Sequence, residues 1–352
     1  MATTFAVPDG RVAMAATTYT GTGTSSARSV TGVAFQPDFV WGKGRSVASQ
    51  HNLFDAVRGS GKRLISNSTA AEETNAAFGY LSSFDSDGFS TLAGSTNNEN
   101  WNQTSATYVA WSWKAGGTAV SNTAGTIASS VSANTTAGFS IVVYTGNGTN
   151  GATVGHGLGA KPSLIIEKGR STAYNWSVQG CGVLWTPATS TLFLNATNAL
   201  NVSGAIAAPT TSVFTPSATL YANESGVSNV AYCWAPVAGY SAFGSYTGNG
   251  SADGPFIYTG FRPRFLMIKR TDTAGNNWVI LDTSRDTYNA AGLYLYPNLS
   301  AAEDDYRAST GPIDILSNGL KQRSTLSNVN ASGSTYIYAA FAENPLKYAN
   351  AR

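Results

Sequence analysis

The side chains with the plainest chemical use lie in one polar run, Asn97-Asn98-Glu99-Asn100-Trp101-Asn102-Gln103. A tryptophan face can stack on the apolar face of a pyranose, while amides and a carboxylate offer paired donors and acceptors to sugar hydroxyls. The run reads as a loop, where binding groups concentrate. Asn98, Asn100, Trp101, Asn102 and Gln103 are therefore the candidate glycan-binding residues. The competing reading is a polar hairpin with Trp101 folded over a sheet edge. Other reactive groups read as structural. Asp85, Asp87 and Gly88 begin like a calcium loop, but the alternating oxygen ligands stop there, and Asp-Gly between apolar residues is a hairpin turn. Glu303-Asp304-Asp305 reads as a solvated loop. His51 and His156 stand at no zinc-ligand spacing. The run Gly155-His156-Gly157-Leu158-Gly159 lacks the strand, lysine and helix of a phosphate cradle. Cys181 and Cys233 read as two buried free thiols. Glycoside hydrolysis needs two carboxylates held across the scissile bond. No cluster of acids and aromatics advertises such a pair, so no catalytic residue, metal or cofactor is assigned.

The elements that must position these groups recur. Tyr-Thr-Gly-x-Gly occurs at Tyr19–Gly23, Tyr144–Gly148 and Tyr246–Gly250. A proline follows each tyrosine by 18, 18 and 17 residues (Pro37, Pro162, Pro263), and six residues beyond each stands Lys43, Lys168 or Lys269. Each repeat closes on an aromatic strand ending at Trp113, Trp234 or Phe341, which lie 94, 90 and 95 residues from the opening tyrosine. Four landmarks in register three times define a tandem repeat. Asp55/Arg58 and Asp282/Arg285 share an Asp-x-x-Arg spacing, read as local salt bridges that close a turn and are worth little if exposed; the middle repeat lacks it. No stretch keeps a 3.6-residue apolar period for three turns, and short alternating segments are bounded by Gly, Asn, Ser and Pro. Single helical turns are expected only at 71–77 and 300–307. The fold predicted is all-β: three tandem two-sheet sandwiches over 1–116, 117–240 and 241–352. Residues 115–137 look like a linker by composition, with Ile127 and Val131 as a possible first edge strand.

Composition narrows the function classes. Only 11% of the 352 residues are charged, against about 25% in an ordinary domain. The net charge of +2 gives no footprint for nucleic acid or an anionic membrane. The 8 Trp, 17 Tyr and 15 Phe are too many for a disordered chain, and the apolar runs are too short to span a bilayer. Met1 to Thr18 lacks the basic start and continuous apolar core of a secretory signal.

Several phrases resemble a repeat family of tailed-bacteriophage virion proteins. They are Phe35-Gln36-Pro37-Asp38-Phe39-Val40-Trp41, Tyr108-Val109-Ala110-Trp111-Ser112-Trp113-Lys114, Val154-Gly155-His156-Gly157-Leu158-Gly159, and the ending Phe341-Ala342-Glu343-Asn344-Pro345-Leu346-Lys347-Tyr348-Ala349. The resemblance covers almost the whole chain. It implies a non-enzymatic structural protein of the virion, built of jelly-roll or concanavalin-like sandwiches and made in the bacterial host cytoplasm. The expected form is a tail fibre, tail appendage or fibre-docking piece, with a capsid decoration protein as the alternative and a polysaccharide-degrading tailspike behind it. Expected partners are other virion proteins, further copies in a homo-oligomer, and a host surface glycan. The family brings no established catalytic residues to carry over.

Overall fold

The computed structural model describes residues 5–181, 190–202, 206–217, 222–309 and 311–345. It is all-β, with 42% strand, 3% helix and antiparallel pairing between its strands. Three large sheets dominate. The first has six strands, ordered Met14–Thr20, Thr107–Trp113, Phe39–Gly44, Asn52–Asp55, Lys62–Ile65, Glu73–Thr74. The second has eight, ordered Val120–Asn122, Ser129–Asn134, Phe139–Thr145, Ser228–Trp234, Leu164–Gly169, Ser177–Gly180, Ser190–Phe193, Asn201–Val202. The third has four: Ser241–Thr247, Thr335–Pro345, Phe261–Arg270, Val279–Asp282. Each contains the same central arrangement. The strand ending in Tyr-Thr pairs with the aromatic strand that comes last in sequence, and that strand pairs on its other side with the lysine-bearing strand.

Register is shared as well. Phe39 faces Trp113, Leu164 faces Trp234 and Phe265 faces Phe341. Lys43, Lys168 and Lys269 face Val109, Val230 and Ile337. Phe39–Gly44 and Leu164–Gly169 are buried at every position, because both faces of these strands are covered. One face of each large sheet enters a common core. There Trp113, Trp234 and Phe341 meet, with ring centroids 6.1 Å (Trp113–Trp234), 5.5 Å (Trp113–Phe341) and 6.4 Å (Trp234–Phe341) apart. The other face of the first sheet packs Val40, Phe54 and Ala110 against Val30, Leu81 and Phe89 of a small sheet, Arg28–Thr31, Gly88–Leu92, Tyr80–Asp85. Smaller sheets also occur in the later parts of the chain: Val154–Gly155 with Val213–Phe214, and Phe256–Tyr258 with Gly319–Gln322 and Ile313–Leu316.

Local expectations need correction at three places. The segments 71–77 and 300–307 hold no helical turn; they contain the short strands Glu73–Thr74 and Asp304–Asp305. Helical turns stand instead at Gly10–Val12, Glu99–Asn102 and Ser327–Asn330. The segment 115–137 is a linker in composition only: the expected strand is present at Val131, buried within Ser129–Asn134, and the edge of the second sheet is Val120–Asn122 beside it. The Asp85-Ser86-Asp87-Gly88 hairpin is as expected, with Asp85 paired to Gly88. Residues 346–349 of the last phrase quoted above lie outside the described residues. No helix among the described residues is long and apolar enough to cross a membrane.

Candidate functional site

The polar run 97–103 is built around one asparagine. Asn102 Oδ1 accepts from Thr22 N at 2.8 Å, from Thr22 Oγ1 at 3.2 Å and from Arg28 Nη1 at 2.5 Å, and its Nδ2 donates to Thr24 O at 3.2 Å. The contact recurs. Asn147 N donates to Asn223 Oδ1 at 3.1 Å, and Asn249 N to Asn330 Oδ1 at 2.9 Å. In each case the donor is the variable residue of Tyr-Thr-Gly-x-Gly. The glycine after it donates to the carbonyl of the same asparagine at 2.8 Å: Gly23 to Asn102, Gly148 to Asn223, Gly250 to Asn330. The first glycine of the motif has no room for a side chain; a Cβ on Gly21 would stand 1.9 Å from the Gln103 carbonyl oxygen. The motif is a clasp between two chain segments, and Asn102 is its buried half.

Trp101 is likewise withdrawn from any ligand. Its ring is 1% exposed and packs between Phe54 and Phe89, at centroid distances of 5.7 and 5.8 Å, over the bare backbone of Gly42. The stacking surface suggested by the sequence is therefore core. An indole of that size, carried on a single helical turn, gains more from burial between two sheets than from exposure to water. Asn98 hydrogen-bonds the Thr24 carbonyl through Nδ2.

Asn100 and Gln103 do face a recess. Together with Gln50, Phe78, Glu99 and Ser300 they line a surface groove of about 260 Å³. Phe78 is 44% exposed there, a rare exposed phenyl ring in this chain. Asn100 is buried and its Nδ2 has no hydrogen-bond partner. The equivalent residue of the third repeat is partnered: Asn328 occupies the same place in the helical turn Ser327–Asn330, and its Oδ1 accepts from Asn277 N at 3.0 Å. The floor of the groove is fixed by Ser49 N donating to Ser300 O at 2.9 Å. An apolar ring beside amides and a carboxylate is the pattern that first suggested a sugar site, supplied here by Phe78 in place of Trp101. Nothing in the sequence around Ala76-Ala77-Phe78-Gly79 marks Phe78 as exposed.

Two buried sets of charged groups form seams between sheets. Arg58 Nε donates to Asp55 Oδ2 at 2.5 Å and Nη1 to Glu72 Oε2 at 3.0 Å, with both Arg58 and Asp55 side chains fully buried. Tyr232 OH, from the second sheet, donates to Asp55 Oδ2 at 2.7 Å, and Arg170 holds Glu72 at 2.8 Å. The third sheet repeats the set: Arg285 to Asp282 at 2.5 Å and to Glu303 at 2.7 Å, Trp111 Nε1 to Asp282 Oδ2 at 2.9 Å, and Arg45 to Glu303 at 2.8 Å. Burial works to raise the Glu72 and Glu303 carboxyls, but the paired arginines outweigh it and hold both below their ordinary value. The Asp-x-x-Arg pairs are thus buried junctions rather than exposed turn closures, and Glu303 belongs to one of them rather than to a solvated loop. At the remaining seam Gly180, Ala339, Leu200 and Thr271 occupy the corresponding positions, none of them charged, and the backbone bond Leu200 N to Thr271 O, 2.7 Å, persists.

The histidines and lysines also serve the frame. Trp41 Nε1 donates to His51 Nδ1 at 2.9 Å, and burial pushes the imidazole well below its ordinary pKa. His156 Nδ1 accepts from Leu158 N at 3.2 Å, capping its own turn. Lys43, Lys168 and Lys269 each donate to the carbonyl of the next residue, at 2.7, 2.9 and 2.7 Å. Burial lowers them to about 7, about 8 and about 8. Cys181 and Cys233 are buried and unpaired. Among the described residues no three His, Cys, Asp or Glu gather where they would hold a metal.

No curated protein and no solved structure matches the chain. A family model described as Domain of unknown function (DUF7483) matches residues 13–345, from the first strand to the last. That span includes the three clasps, both charged seams and the groove, so the chain belongs to this family.

Proposed function

We propose that this protein is a non-enzymatic structural component of a tailed-phage virion, a compact tail appendage or fibre-docking piece that recognises a host glycan through the Phe78 groove. In this reading the chain is three copies of one two-sheet sandwich, divided near 117 and 240. The identical strand order at the centre of the large sheets, the three asparagine clasps and the cyclic placement of the seams support that division. Buried ion pairs broken by loss of one partner cost several kcal/mol, so such seams favour one rigid arrangement. The near-neutral polar surface suits both protein packing and sugar hydroxyls. The phrase-level resemblance carries the virion assignment, and further copies of the chain are expected beside it.

The observation that carries glycan binding is the exposed Phe78 ring set beside the unpartnered Asn100 amide in one groove, whereas the equivalent Asn328 is partnered. A glycan array with the intact protein tests it. Selective signal that falls in Phe78→Ala and in Gln103→Ala supports the assignment; flat profiles for all three defeat it. Incubation with host surface polysaccharide is expected to release no reducing ends. Density for the chain on the tail of an intact particle supports the appendage, and density on the capsid surface replaces it with the decoration role.

A further inference from the structure

One loop beside the third sheet is longer than its counterpart beside the first. In both, the buried arginine donates through Nη1 to a carbonyl farther along: Arg58 to Lys62 O at 2.9 Å, Arg285 to Leu293 O at 2.7 Å. The first sheet crosses that gap with residues 59–61 and the third with residues 286–292. Gly59 and Asp286 are equivalent, since their amides donate to Asp55 O and Asp282 O, each at 3.1 Å. The longer loop thus replaces a glycine by a carboxylate and adds Tyr288.

Both additions point to a ligand. Asp286 is only 4% exposed; its Oδ2 accepts from Gly292 N at 2.9 Å and Leu293 N at 2.8 Å, while Oδ1 has no partner. A buried acceptor without a donor is costly, and such groups in native folds usually serve a function or a water. Beside it opens a recess of about 390 Å³ lined by Asp286, Tyr288, Asn289 and Arg307. Tyr288 is 82% exposed, so its ring is free to stack. The loop is pinned rather than loose: Asn289 Nδ2 donates to Ile315 O at 2.9 Å and its Oδ1 accepts from Ile315 N at 2.8 Å. Arg307 gives Nε and Nη2 to Asp305, at 2.9 and 2.6 Å, and keeps Nη1.

We infer that this recess is a second carbohydrate subsite, separate from the Phe78 groove, which takes one neutral hexopyranose unit. The ring's apolar face lies on Tyr288, one hydroxyl donates to Asp286 Oδ1, and a neighbouring hydroxyl accepts from Arg307 Nη1. A neutral ligand fits better than a cation, because Arg285 and Arg307 flank the carboxylate. The chemistry rests on the sugar-binding reading above, but the residues do not overlap.

Saturation-transfer NMR with methyl α-glucoside, α-mannoside, α-galactoside and N-acetylglucosaminide tests the assignment on the intact protein. At least one glycoside is expected still to bind Phe78→Ala, where the groove is disabled, and in that background to weaken up to about tenfold on adding Tyr288→Ala, the value of one aromatic contact. Asp286→Asn, which puts a donor where the hydroxyl needs an acceptor, is expected to weaken it similarly. Binding lost in Phe78→Ala but kept in Tyr288→Ala overturns this subsite and leaves the groove standing. Binding of none of the glycosides to wild type overturns it as well, whatever the array shows for the groove.

Discussion

Gly42, Glu167 and Ile268 stand one residue before the three recurring lysines, and each meets a different neighbour. Gly42 is bare because the Trp101 ring lies against it; a Cβ would stand 2.3 Å from ring carbons. Ile268 is plain aliphatic core. Glu167 is fully buried, accepting from Gln179 Nε2 at 2.6 Å, Ser217 N at 3.2 Å and Tyr144 OH at 3.3 Å. Burial outweighs these bonds and raises the carboxyl to about 7. A carboxyl raised on folding helps the fold most while it is protonated in both states. That contribution is fully present below its ordinary value near 4.5 and is lost as pH rises through about 7. Glu167→Gln removes the titration, so the variant is expected to exceed wild type by about 3 kcal/mol at pH 8 and by little at pH 4.5. Urea unfolding at the two pH values checks this, and an equal difference at both contradicts it. Sequence spacing found the lysines, but it gave no sign that the residue before one of them is a buried acid. Trp101 shows the same limit: its type suits a sugar or a core, and only the facing Gly42 decides for the core.

At the scale of elements, the seams explain why two Asp-x-x-Arg pairs exist and a third does not. Tyr232 and Trp111 reach Asp55 and Asp282 from a neighbouring sheet. Where Ala339 replaces that aromatic, the partner position is Gly180 and no carboxylate is left unpaired. Both sides of that seam are uncharged together at these positions, as burial requires. The seam should accept the charge back only as a pair. Leu200→Glu alone is expected to destabilise the protein, and adding Thr271→Arg to recover about 1 kcal/mol, the scale of coupling between contacting residues. A double-mutant cycle by chemical denaturation measures it; zero coupling would show that the three seams differ in geometry. The sequence displayed the spacing of the pairs but not their burial, since the groups that cover them come from residues 171 to 177 positions away.

At the scale of the molecule, the three large sheets share one core, so they are expected to stand or fall together. Trp113 touches Trp234 and Phe341 as well as Phe39 in its own sheet. Trp113→Ala is expected to cost about 3–5 kcal/mol and to lower protection of all three lysine-bearing strands in hydrogen exchange. Loss confined to residues 14–113 would mean that the sheets unfold independently. The sequence by itself determined the all-β class, the three-fold recurrence of its landmarks and the turns, because strand alternation, Gly-rich punctuation and Asp-Gly hairpins are local properties of the chain. It also placed Lys43, Lys168 and Lys269 at equivalent strand positions. Tertiary structure alone decided which polar residues are buried and which aromatic rings meet water. Trp101 went inside and Phe78 and Tyr288 stayed out, because exposure depends on which remote segment covers a side chain. That covering surface is set by how whole sheets pack, a contact no window of neighbouring residues contains.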